Sequence, residues 1–97
     1  LPDDSYMFIF ADISGHGLPA YTTLIRLRSA IVLAIKASER EYYENGIIDT
    51  DNLLKYVIEN FTDIMDEANS YDFACVNFVF IYTLIIRFVA ISKSHNI

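Results

Sequence analysis

Apolar and polar positions alternate along the chain in a way that predicts five elements. Leu1–Ser5 reads as a turn, with Pro2 setting a corner and Asp3 and Asp4 as turn formers. Tyr6–Ala11 is an unbroken apolar, aromatic-rich run of strand length. Apolar residues at every position of it predict burial on both faces. A tight polar turn follows, Asp12-Ile13-Ser14-Gly15-His16-Gly17. Leu18-Pro19-Ala20 then opens a helix running to about Ser38, with Pro19 suited to the first helical position. Its apolar positions are Leu24, Leu27, Ala30, Ile31, Ala34 and Ile35. Glu41–Thr50 reads as a linker broken by Asn45-Gly46, with the tyrosine pair Tyr42-Tyr43 packing a helix end. A second helix starts near Asp51, capped by Asp49, Thr50 or Asp51. Leu53, Leu54, Val57, Ile58, Phe61, Ile64, Met65 and Ala68 trace its apolar stripe, with a solvated acidic back.

Phe73–Ile91 is interrupted only by Asn77, Thr83 and Arg87. Two readings compete. Its length suits a transmembrane helix, which needs about 20 residues. Its residue types, dominated by Phe, Val, Ile and Tyr, suit two buried strands joined by a turn near Tyr82–Leu84. The strand pair is the better fit, although no strong turn former sits there. The order becomes strand, Gly-rich turn, helix, helix, strand, strand: an α+β domain.

Ninety-seven residues suffice for one domain, and an apolar share of 54% excludes intrinsic disorder. So much apolar surface in a short chain implies that part of it is covered by something else. The net charge of −6 argues against nucleic-acid binding. Residues 39–72 hold ten acids against Arg40 and Lys55, whereas 73–97 hold none. Arg26, Arg28 and Lys36 argue against the first helix as a membrane span. The single cysteine, Cys75, permits no internal disulfide, and a reduced, cytoplasmic setting is the expectation. Within its apolar strand Cys75 reads as a small buried hydrophobe.

The Asp12–Gly17 turn concentrates the candidate chemistry. A strand delivers the Asp12 carboxylate to its carboxyl end, and the glycines let the backbone turn sharply. A carboxylate with neighbouring backbone carbonyls suits a hard cation such as Mg²⁺ or Mn²⁺. Amides opening the next helix suit a phosphate. The plainer reading is a strand-to-helix turn capped by Asp12 and Ser14.

Phe8-Ile9-Phe10-Ala11-Asp12-Ile13-Ser14-Gly15-His16-Gly17-Leu18-Pro19-Ala20 resembles the signature of the SpoIIE/RsbU group of PPM (PP2C-like) serine/threonine phosphatases: a strand, Asp-Val-Ser-Gly-His-Gly-x-x-Ala, then a long helix. Weaker similarities follow at Leu53-Leu54 through Asn60, at Phe73–Ile81 and at Ala90–Asn96. The resemblance implies an α/β sandwich in which two Mn²⁺ or Mg²⁺ ions, held between two sheets, activate a water against a phosphoserine or phosphothreonine. Asp12 would bridge both metals and the Ile13 carbonyl would be a further ligand. Ser14, Gly15, His16 and Gly17 would shape the turn, with His16 near the phosphate or simply steadying the backbone. The partner implied is a phosphoserine protein of the anti-anti-sigma type.

The chain departs from that pattern in several places. The group's Gly-Gly-Asp-x-x-Asp strand and its late Asp-Gly motif, both metal-ligand motifs, have no counterpart in residues 1–97. The expectation is therefore a partial domain, inactive alone, with uncovered strand edges prone to self-association. Cys75 replaces a common Thr, Tyr82 stands where an Asp often begins a turn, and Ser92-Lys93-Ser94-His95 replaces Asn-Ala-Gly-His. A second reading is thus a degenerate, catalytically silent interaction module. A zinc site from Asp12, His16, Cys75 and His95 lacks the spacing of known zinc motifs.

Overall fold

The computed structural model of the protein describes residues 1–69, 73–81 and 86–94. Its elements are β1 (Tyr6–Ile13), α1 (Gly17–Asn45), α2 (Thr50–Glu67), β2 (Phe73–Ile81) and β3 (Ile86–Ser94). The three strands form an antiparallel sheet in the order β1-β2-β3. The fold is mixed α+β, with the expected element order. Phe73–Ile91 is a strand pair and not a helical span. The turn expected near Tyr82–Leu84 lies outside the described residues.

Register assigns the faces of the sheet. Met7 is opposite Phe80, Ile9 opposite Phe78, Ala11 opposite Val76 and Ile13 opposite Ala74. These residues line the inner face, on which the helices pack. On β2 that face is fully buried: Ala74, Val76, Phe78 and Phe80 are at most 5% exposed, and the Phe78 and Phe80 rings stack 6.4 Å apart. The outer face carries Tyr6, Phe8, Phe10 and Asp12 on β1, opposite Ile81, Val79, Asn77 and Cys75. Here the expected burial of β1 on both sides fails. Tyr6, Phe8 and Phe10 are 66, 48 and 60% exposed, because both helices occupy the other face. Cys75 is likewise half-buried on the outer face and is not a core residue.

The helices differ in how they bury. The α2 stripe of Leu53, Leu54, Val57, Phe61 and Met65 is buried at the i, i+3, i+4 spacing of an amphipathic helix. Residues of α2, α1 and β2 converge around a small void of about 20 Å³ lined by Leu27, Val57, Ile58, Phe61, Ala74, Val76 and Phe78. By contrast, α1 buries a stripe of mostly small residues, Thr23, Leu27, Ala30, Ala34 and Ser38, along its packing against α2. Ile31 and Ile35 are partly buried against the core, whereas Leu24, Ile25, Val32 and Leu33 stay exposed. By length and composition α1 could cross a membrane despite Arg26, Arg28 and Lys36; in this fold it packs mainly against α2.

Helix ends follow local chemistry. The Asp49 carboxylate accepts from the Asp51 and Asn52 amides at 3.0 and 3.2 Å, which selects Asp49 among the three expected caps. The α1 helix runs seven residues beyond the expected stop at Ser38. Among residues 39–45 only Asn45 favours a stop, so the helix continues until Gly46, where the chain turns left-handed and the Gly46 amide bonds the Tyr42 carbonyl. The expected linker therefore shrinks to residues 46–49. The extension puts Glu41 beside α2, where the Tyr56 hydroxyl donates to its carboxylate. This bond, with some desolvation, holds the Tyr56 hydroxyl above its ordinary pKa. Tyr42 and Tyr43 meet edge-to-face at 5.7 Å in the last turns, although Tyr43 remains largely exposed.

Two changes test this packing. The Ser38 hydroxyl is buried without a hydrogen-bond partner among the described residues. An unpaired buried hydroxyl costs about 1–3 kcal/mol, and alanine is the better helix former. Ser38→Ala should therefore raise stability by about 1 kcal/mol in urea unfolding; a loss of stability would show that the hydroxyl is paired. Asp49→Ala should lower stability by about 1 kcal/mol, the usual worth of an N-cap, and Asp49→Asn should recover most of that loss.

Candidate functional site

The described part of the site is the carboxyl end of β1 and the turn into α1. Strand alternation puts Asp12 on the outer face with Phe8 and Phe10, opposite Cys75 on β2. Asn77 is the diagonal neighbour of Asp12, and Ser92 of β3 pairs with Cys75 in register. The Asp12 side chain is exposed, whereas Ile13 ends the strand with its side chain packed against the core.

The backbone of the turn explains its two glycines. Gly15 and Gly17 have φ of +79° and +68°, while His16 between them is extended. A Cβ at either glycine would meet no atom within 4 Å. Conformation, and not space, therefore demands glycine at both positions. The two left-handed residues reverse the chain within a few residues of Asp12 and launch α1.

The helix start departs from expectation in two respects. His16 holds the N-cap position, in place of Asp12 or Ser14, and its own side chain makes no capping bond. Pro19 is the third helical residue, not the first. It is tolerated there because the first four helical amides have no partner within the helix. No acidic residue occupies the first turn of α1. The positive end of the helix thus faces the turn without a carboxylate of its own.

Asp12, Ile13, Ser14, Gly15, His16 and Gly17 are consecutive, so the strand end and the turn bring them together. Strand pairing sets Cys75, grouped with Asp12 before only in the zinc set, directly opposite it and adds Asn77, which the sequence did not place there. The signal lay in strand parity, once β1 and β2 were paired. His95 lies outside the described residues, and the four-residue zinc set is not assembled among those described. No cluster of three or more His, Cys, Asp or Glu side chains able to hold a metal occurs among the described residues. Asp12 and the Ile13 carbonyl thus do not by themselves make a divalent-cation site, which needs six or more oxygen ligands.

The left-handed turn is testable through stability. Gly17→Ala forces a Cβ into the left-handed region at about 1–2 kcal/mol, and the chain should lose that much in denaturant unfolding. An unchanged midpoint would mean that the turn adopts another conformation.

No family model matches the chain, and neither a curated protein nor a solved structure does.

Proposed function

We propose that the chain is part of a metal-dependent protein serine/threonine phosphatase domain of the SpoIIE/RsbU kind, with a PP2C-like sandwich as the complete architecture. One observation carries this reading. Asp12 stands at the end of β1 on the sheet face that bears no helix, directly before a turn whose two left-handed glycines open a long helix. A two-sheet sandwich with helices outside and ions between the sheets needs its carboxylates on that face. The exposed Tyr6, Phe8 and Phe10 side chains supply an apolar surface for a second sheet.

In this reading Mn²⁺ or Mg²⁺, once bound, lowers the pKa of a water and neutralises charge on the phosphoryl oxygens. The residues described here have narrower roles. Asp12 and the Ile13 carbonyl offer hard oxygen donors that would hold the cation at the strand end together with further ligands. Gly15 and Gly17 fix the path by which the chain leaves Asp12. The amides at the start of α1 present partial positive charge near the same turn. The substrate class is a phosphoserine on a partner-switching regulator of the anti-anti-sigma type, in a cytoplasmic setting.

A second reading is a catalytically silent interaction module of the same fold. It is favoured by the lone carboxylate, since no further group of metal ligands joins Asp12 among the described residues.

The test uses a longer protein that contains this chain and turns over a phosphoserine peptide with Mn²⁺. Asp12→Asn should reduce that turnover by more than about 100-fold, beyond the 10–100-fold typical of groups that only support a metal ligand. Undiminished turnover would sink the phosphatase assignment. Calorimetric titration of the 97 residues with Mn²⁺ separates the two readings further: tight binding lost in Asp12→Asn would exclude the silent module.

A further inference from the structure

We infer that the free edge of β1 is a self-complementary docking seam for a second copy of this chain, which joins two sheets into one of six strands. The inference concerns the 97-residue chain and competes with the phosphatase reading, in which further strands of the complete domain would take the same edge.

Within the described sheet β1 pairs with β2 alone, so one of its edges is unpaired. In an antiparallel strand every second residue directs both its N–H and its C=O to the same side. The eight residues of β1 therefore present four such donor–acceptor pairs outward. Among the described residues of the strand the usual guards of such an edge are missing. Tyr6–Ile13 contains no Lys, Arg or Pro, and its one charge, Asp12, lies near the end.

Both faces beside the edge are apolar. The outer face shows Tyr6, Phe8 and Phe10. On the inner side an open groove of about 530 Å³ lies between β1 and α1, lined by Ile9, Ala11, Leu24, Leu27, Ile31 and Val32 together with Arg28. An occupant must therefore be an extended strand with apolar residues on both faces. A cavity of about 150 Å³ holds a benzene-sized group, so the groove has room for three or four apolar side chains. β1 itself meets these requirements, with Met7, Ile9, Ala11 and Ile13 on its inner face.

A two-fold axis at Ile9 gives antiparallel pairing that keeps inner residues with inner and outer with outer. Ile9 then meets its own copy. Met7 meets Ala11, a large side chain against a small one. Phe8 meets Phe10 twice, giving two aromatic cross-strand pairs. Tyr6 meets Asp12, and the two Asp12 carboxylates stay about 20 Å apart at 3.4 Å per residue. The seven paired residues span about 24 Å, and sheet plus helix layers are about 20 Å deep, so the seam covers roughly 500 Å² per copy. The total of about 1,000 Å² reaches the lower limit for a specific interface. A reversible dimer of modest affinity fits that area.

Sedimentation velocity on the 97-residue chain, from low micromolar to submillimolar concentration, tests this. The average mass should rise towards twice that of the monomer. Phe8→Lys and Phe10→Lys, both at exposed positions, should each weaken the dimer at least tenfold while leaving the circular dichroism unchanged. The double variant Phe8→Lys/Phe10→Glu sets opposite charges across the same two pairs and should recover it. Hydrogen exchange of the wild-type chain should show protection in residues 6–13 that rises with concentration, a readout that stands even if a variant fails to fold. A wild-type chain that stays monomeric throughout overturns the inference. So does a dimer that persists undiminished in both lysine variants.

Discussion

The fold depends on the burial of one sheet face by α2. Ala74, Val76, Phe78 and Phe80 on β2 and Leu53, Val57, Phe61 and Met65 on α2 contribute most of the buried apolar side chains. Each large buried side chain contributes about 1.5–3 kcal/mol, more than any cap or turn in the molecule. The α1 helix joins this core through Leu27, Ala30 and Ala34 and presents mostly small side chains to α2. That choice brings the helices close but leaves α1 standing off β1, which is why an open groove lies there.

The same arrangement sorts the two faces of the sheet. Helices on one side leave the other side bare, and the bare side holds three aromatics and the single carboxylate of β1. Chemistry and stickiness therefore share a surface. Asp12 is exposed because the strand that carries it is covered on one side only. Whatever covers Phe8 and Phe10 also sets the dielectric around that carboxylate.

Much of this was legible in the residues. The α2 stripe, a cap within Asp49–Asp51, the Gly15–Gly17 turn and the strand character of Phe73–Ile91 all follow from local pattern. These positions need no distant partner to be decided. The exposure of β1 was not legible, because an apolar run of six residues looks alike whether one face or two are covered. The length of α1 was missed for a related reason. The acidic residues at its end resemble a linker, yet they are good helix formers until Gly46. Cys75 was misplaced because parity along β2 fixes its face, and parity has no meaning until the strand is paired. For the candidate site, the turn could be read from Asp12 and the glycines, while Cys75 and Asn77 beside it depend on pairing with a strand 60 residues later.

That distance has a kinetic consequence. β2 and β3 are close in sequence, and α1 and α2 are joined by residues 46–49, so these contacts close short loops. β1 is different: Tyr6 pairs with Ile81 and Ile13 with Ala74, across both helices. The entropy of closing that loop must be spent before any β1–β2 hydrogen bond repays it. The strand that bears Asp12 is tied to the described sheet by distant contacts with β2. Local opening would release it while leaving the helix pair and the β2–β3 ladder intact. Anything that binds its carboxylate therefore also acts as a clamp on that long loop.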